Sequence, residues 1–140
     1  MRKLLSLFAI AAMTILFGVL STGSAAAFGS EQLGCRVAPA SIYQPIDSPS
    51  CAYTYAPNPT YSISFVVQNG SGTYSYAWSV PSPYSGRIIN GCGSSDNWCQ
   101  FSAGNREDDI TVSVTLTQGS QQRTISADAY IAQWCGNYVC

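Results

Sequence analysis

Residues 110–117 alternate without a break. Ile110, Val112, Val114 and Leu116 fall on one side, and Thr111, Ser113, Thr115 and Thr117 on the other. Successive side chains of a strand point to opposite faces, so this stretch predicts a strand with one buried and one wet face. A helix would scatter the same apolar residues around its circumference. The period of two recurs along the chain. Tyr61, Ile63, Phe65 and Val67 share a face over residues 61–68. Tyr74, Tyr76, Trp78 and Val80 alternate with Ser75, Ala77 and Ser79 over 73–80, and Ile125, Ala127, Ala129 and Ile131 do so over 123–132. Residues 87–90 and 98–102 read as shorter strands. Asn69-Gly70-Ser71-Gly72, the polar run 104–109 and Gly119-Ser120 supply turns between them.

Composition agrees with the pattern. From residue 28 onward there are two Leu and two Glu, against nine Tyr and seven Thr, which favours pleated sheet over helix. Several short strands with turns at regular spacing predict an all-β antiparallel sandwich. The segment 28–60 is poorer in pattern and carries Pro39, Pro45, Pro49, Pro57 and Pro59, so one or two edge strands and long loops are expected there. Residues 133–140 read as an irregular tail. No repeat or linker divides the chain, so 28–140 is expected to form one domain.

The first 27 residues read as a secretory signal. Arg2 and Lys3 precede an apolar run over 4–20, then the polar stretch 21–24, then Ala25-Ala26-Ala27. This order of charge, apolar run and small residues predicts cleavage after Ala27 and no membrane attachment afterwards. The expected location is outside the cytoplasm: secreted, periplasmic or on the cell surface.

Six cysteines follow: Cys35, Cys51, Cys92, Cys99, Cys135 and Cys140. An even number in a small exported chain predicts disulfides, and the absence of a CxxC pair argues against zinc and thioredoxin-type chemistry. Cys92 with Cys99 is the firmest pair, because Gly91, Gly93 and residues 94–97 form a compact loop between them. Cys35–Cys51 with Cys135–Cys140 is the simplest completion. The competing pattern joins Cys51 to Cys135 or Cys140.

What is missing narrows the function. The chain has no His, and its one Lys, Lys3, lies in the signal. Ser-His-Asp and Cys-His catalysis, His-ligated zinc, Schiff-base chemistry and the P-loop therefore drop out. Beyond the signal, Arg36, Arg87, Arg106 and Arg123 stand against seven acids, a poor surface for nucleic acid. No cofactor is expected, nor any enzymatic activity.

Residues 64–78, running through Phe65, Asn69-Gly70-Ser71-Gly72 and Tyr74 to Trp78, together with residues 110–117 and the strand after Gly119-Ser120, resemble an immunoglobulin-like module of the PKD type. Such modules occur in bacterial surface and secreted proteins. The likeness spans about residues 61–131, with Trp78 in the place of the family's core aromatic. It implies an immunoglobulin-like β-sandwich with a role in binding or spacing.

Binding candidates come from aromatics outside the alternating strands: Tyr43, Tyr53, Tyr55, Tyr84, Trp98 and Trp134. Tyr and Trp in loops are frequent anchors of recognition surfaces. Tyr74, Tyr76 and Trp78 are assigned to the core by their period. Glu107, Asp108 and Asp109, with Asn105 and Asp96 nearby in sequence, are a weak calcium candidate, since hard cations need several oxygens from one loop. The favoured reading is a monomeric, non-enzymatic interaction module that binds a protein or glycan through its loops. A secreted inhibitor or small effector presenting a rigid Cys92–Cys99 loop is the alternative. A glycan hydrolase is weaker, because adjacent acids do not face one another across a sugar.

Overall fold

The structure is a computed structural model that describes residues 28–39, 49–53 and 59–140, with Tyr53 described by its backbone alone. The signal, Tyr43 and Tyr55 lie outside the described residues. Strands β1 (Gln32–Ala38), β2 (Ser50–Tyr53), β3 (Thr60–Gln68) and β4 (Ser75–Ser79) lead to a one-turn helix α1 (Ser82–Ser85). Strands β5 (Ile88–Gly91), β6 (Trp98–Gly104), β7 (Asp108–Gln118), β8 (Gln121–Ile131), β9 (Trp134–Cys135) and β10 (Tyr138–Val139) follow.

The alternation read from the sequence becomes two apolar faces. One sheet has the order β1-β3-β6-β5 and the other β2-β8-β7-β4. Tyr61, Ile63, Phe65, Cys99 and Phe101 of the first sheet and Ile110, Val112, Val114, Leu116 and Ile131 of the second all join one buried cluster. Phe65 stacks on Phe101 with ring centroids 5.9 Å apart. Each large side chain so buried contributes roughly 1.5–3 kcal/mol. The hairpin β7–β8 pairs Gln118 with Gln121, leaving Gly119 and Ser120 as its turn. Gly119 has φ +60, which suits the first central position of a type II′ turn, whose twist matches the strands it joins.

The N-terminal segment supplies an edge to each sheet. β1 runs antiparallel to β3, while β2 runs parallel to β8, the one parallel pair among these ladders. The disulfide Cys35–Cys51 bridges these two edges, and so the two sheets. Cys92–Cys99 and Cys135–Cys140 are the other bridges, and no cysteine is free. The competing pairing of Cys51 with the C-terminus is therefore absent. Three disulfides are characteristic of a chain that folds in an oxidising compartment.

Three expectations need correction. Residues 133–140 are a hairpin, β9 with β10, turning at Gly136 (φ +72) and closed by Cys135–Cys140. Too short to show alternation, it escaped the period. Tyr76 and Trp78 are half-buried against the core, and only Tyr74 is fully buried. β4 is an edge strand, and the loop 92–99 covers its free side: Tyr76 N–H donates to the Ser94 carbonyl (2.9 Å) and the Trp78 indole N–H to the Asp96 carbonyl (3.0 Å). Finally, Tyr84 lies on α1 with 7% exposure, so it is a core residue and not a surface aromatic.

One buried charge had no signature in the sequence. Glu31 is 1% exposed. It accepts hydrogen bonds from Gly29 N–H (2.9 Å) and the Tyr74 hydroxyl (2.8 Å), and pairs with the Arg123 guanidinium (3.0 Å). Phe28 packs on the same Tyr74 ring, centroids 5.6 Å apart. Burial pushes the Glu31 carboxyl up. Hydrogen bonds from the Gly29 and Glu31 N–H groups and from Tyr74, with the charge of Arg123, outweigh that push and hold it below its ordinary 4.5. A depressed carboxylate stabilises the fold above its unfolded pKa, and that contribution fades as pH falls through the folded pKa. We expect the melting temperature to drop on acidification below about pH 4.5. Glu31→Gln should cost about 1–3 kcal/mol at pH 7 and flatten the acid dependence. Thermal melts by circular dichroism at pH 3–7 check both, and an unchanged acid limb in the variant would contradict the assignment.

Candidate binding cleft

Side chains of the first sheet that point away from the core stand in rows across β1, β3 and β6. Arg36, Ser64 and Gln100 make one row, and Val66 with Trp98 lies in the next. Arg36, Ser64, Val66, Asn97 and Trp98 line an open cavity of about 320 Å³ on this outer face. Ligand pockets run from about 300 to 1,000 Å³, so this cleft suits a small group or one unit of a larger chain.

The local backbone explains how Trp98 is held. The pairing of β5 with β6 is irregular between Ile88 and Asn90, and the chain then turns through Gly91 (φ +70) and Cys92 (φ +67). Cys92 N–H donates to the Trp98 carbonyl at 2.9 Å, and Cys92–Cys99 closes the same loop. A Cβ at position 91 would sit 2.4 Å from the Trp98 carbonyl oxygen and 3.2 Å from ring atom Cδ2. Trp98 therefore rests on bare backbone, and only glycine permits that approach. On the far side of the loop, Val67 N–H donates to the Asn97 carbonyl (2.8 Å). Both residues at the cleft's mouth, Asn97 and Trp98, thus come from a fastened backbone.

The side chains of Arg36, Ser64, Asn97 and Trp98 make no hydrogen bond or ion pair with described residues. Gln100, next in the row, is already committed to the Ser62 hydroxyl.

A second cleft of about 500 Å³ lies between α1 and the β6–β7 turn, lined by Pro83, Tyr84, Arg87, Gly104, Asn105, Arg106 and Asp108. Its polar groups largely serve the fold. The Tyr84 hydroxyl donates to the Asp108 carboxylate, and the ring packs on Phe101 at 5.3 Å. Asn105 donates to the Trp134 carbonyl (3.1 Å) and accepts from Trp134 N–H (2.9 Å), which ties the C-terminal hairpin to the turn. Burial pushes the Tyr84 phenol up to about 12, with the hydrogen bond to Asp108 and its charge adding to the effect.

The candidates from the sequence thus separate. Trp98 faces a cleft. Tyr84 is internal, and Trp134 is half-buried and bound through its backbone to Asn105. Tyr53 ends β2. Glu107, Asp108 and Asp109 do not converge on a cation. Glu107 accepts from the Tyr130 hydroxyl (3.2 Å) and Asp108 from Tyr84, while Asp109 takes the opposite face of β7 as strand alternation requires. Asp96 is elsewhere, folded onto Gly93 N–H. Among the described residues no group of three metal-ligating side chains comes together. Arg36, Ser64, Val66 and Asn97 were not singled out from the sequence. Arg36 breaks the apolar run of β1, and that break was the one available signal.

No family model and no curated protein matches the chain. A solved structure, the endo-beta-1,4-mannanase from Thermotoga petrophila, matches with 9% identity and a TM-score of 0.39 over 79% of this chain. The match covers 22% of that enzyme. At this similarity neither its fold nor its activity transfers.

Two outcomes follow from the geometry. Gly91→Ala should lose about 1–3 kcal/mol by denaturant unfolding and perturb Trp98 fluorescence, because a side chain at φ +70 is strained and meets the Trp98 carbonyl. In alkaline titration followed at the phenolate absorbance, one tyrosine should ionise near 12, and that step should vanish in Tyr84→Phe. A near-12 step that persists in Tyr84→Phe, or that is missing from the unsubstituted protein, would contradict the buried Tyr84–Asp108 pair.

Proposed function

We propose that this chain is an exported, disulfide-braced binding module of immunoglobulin-like architecture, and that it engages a protein or glycan through the Trp98 cleft. The observation that carries the reading is the set of polar side chains without partners among the described residues, Arg36, Ser64 and Asn97, gathered around a half-buried tryptophan. Arg36 and Asn97 are solvent-exposed, so a bound ligand would exchange their water for direct hydrogen bonds.

Other features support the architecture and the compartment. Seven-stranded immunoglobulin sandwiches divide their strands as first, second, fifth and fourth against third, sixth and seventh. Counting β1 and β2 as two halves of one first strand, the order β1-β3-β6-β5 against β2-β8-β7-β4 follows that division. The charge, apolar run and alanines of residues 1–27, together with three disulfides, favour export. Among the described residues no helix is long and apolar enough to cross a membrane.

The loop 92–99 favours a module over an inhibitor. Its Ser94, Asp96 and Asn97 carbonyls are fastened to β4 and β3, so it braces the body instead of projecting from it. The hydrolase alternative needs two facing carboxylates, and the second cleft offers Asp108 alone among its lining residues.

The test uses the exported, oxidised protein as bait against cell-surface extract and a glycan array in parallel. Trp98→Ala and Arg36→Ala should each weaken a saturable interaction by about tenfold or more, as loss of a central anchor does. Asp109→Asn, on the other sheet, should leave it intact. Capture that survives Trp98→Ala would move the binding surface elsewhere and defeat this reading.

A further inference from the structure

We infer that the Trp98 cleft takes a carboxylate-bearing saccharide, one acidic sugar ring stacked on the indole with its carboxylate on Arg36. This rests on the reading of the cleft as a binding site and names the ligand class it fits.

Arg36 sets the charge. Its guanidinium is exposed on β1, and no carboxylate among the described residues pairs with it. Guanidinium has five donors and no acceptor, and its planar fork matches a carboxylate with two parallel hydrogen bonds. A ligand that brings an anionic acceptor suits it best, since charge-assisted hydrogen bonds are the stronger ones. Among the described residues Arg36 is the one cation lining the cleft, which suits a single carboxylate and falls short of a polyphosphate or nucleic acid backbone.

Trp98 sets the shape. Seated on the Gly91 backbone, the indole is a fixed flat surface with an apolar face and one N–H at its edge. Val66 extends the apolar floor. A pyranose has the complementary form: a C–H face for the ring and hydroxyls at its rim. The Ser64 hydroxyl and the Asn97 amide each both donate and accept, as sugar hydroxyls do.

A peptide fits less well. Extended peptides gain affinity by adding a strand to an open sheet edge. Here Ser64, Val66 and Trp98 sit on the face of the sheet, where the β1–β3 and β3–β6 ladders already occupy the β3 backbone. An acidic peptide lying over Trp98 and Val66 would find the β3 and β6 backbone beneath it already paired.

The test is calorimetric titration of the exported protein with oligogalacturonate, oligomannuronate and hyaluronan oligosaccharides, each beside its carboxyl-reduced counterpart. Poly-L-glutamate is the acidic peptide control. At least one acidic oligosaccharide should bind, with its reduced counterpart about tenfold weaker, the size expected for a charged hydrogen bond. Arg36→Ala should erase that preference while leaving weak stacking, and Arg36→Lys should restore part of it. Trp98→Ala should remove binding of both forms, and Gln100→Ala, already committed to Ser62, should change neither. Circular dichroism confirms that each variant is folded. Equal binding of acidic and reduced sugars would overturn the charge assignment and leave the binding module standing. Equal or tighter binding of poly-L-glutamate would overturn the saccharide in favour of a protein partner. No binding by any sugar, with capture from cell-surface extract still dependent on Trp98, would remove the saccharide class alone. Loss of both would remove the module reading with it.

Discussion

Burial of the two alternating apolar faces against one another is the constraint from which the rest of this structure follows. Neither β3 nor β7 has any other way to cover four apolar side chains at a spacing of two residues. Once Tyr61, Ile63 and Phe65 meet Ile110, Val112 and Val114, the opposite faces are committed to solvent. The outer face of β1, β3 and β6 is thus available for Arg36, Ser64 and Trp98 because their sequence neighbours are fully engaged inside.

A core of this size in a short chain leaves little margin, and the covalent and polar ties sit where the sandwich is weakest. The edges are the vulnerable places, since an edge strand has unpaired backbone groups. Cys35–Cys51 joins the edges formed by β1 and β2. The loop closed by Cys92–Cys99 covers β4. Cys135–Cys140 closes the last hairpin, which Asn105 holds to the body. Glu31 completes the series, tying the segment before β1 to Arg123 on β8 and to Tyr74 before β4. The same loop that protects β4 also delivers Asn97 and Trp98 to the cleft, so one device serves stability and recognition together.

The two clefts show how the same residue types take different roles. Tyr84, Asp108 and Asn105 resemble an active constellation until their partners are counted: each is consumed by another part of the fold. The Trp98 cleft is smaller and less charged, yet the side chains of Arg36, Ser64 and Asn97 have no hydrogen-bond partner among the described residues.

Much of this was legible in the residues. Alternation located β3, β7 and β8 to within two residues at most of their ends, because period two is a local property of the chain. The turn at Gly119-Ser120 and the pairing of Cys92 with Cys99 were likewise local. Trp98 was visible as a candidate, being an aromatic outside the alternating runs. Tyr84 was misread for the same reason: a loop position in sequence carries no direction, and α1 turns its ring inward onto Phe101. Arg36, Ser64 and Val66 could not be grouped with Trp98 beforehand, because they lie on three strands whose order in the sheet is non-local. Glu31 could not be matched to Arg123, 92 residues away. Side-chain period and cysteine count follow from neighbours along the chain. Sheet order, register and the convergence of distant polar groups follow from how the layers pack.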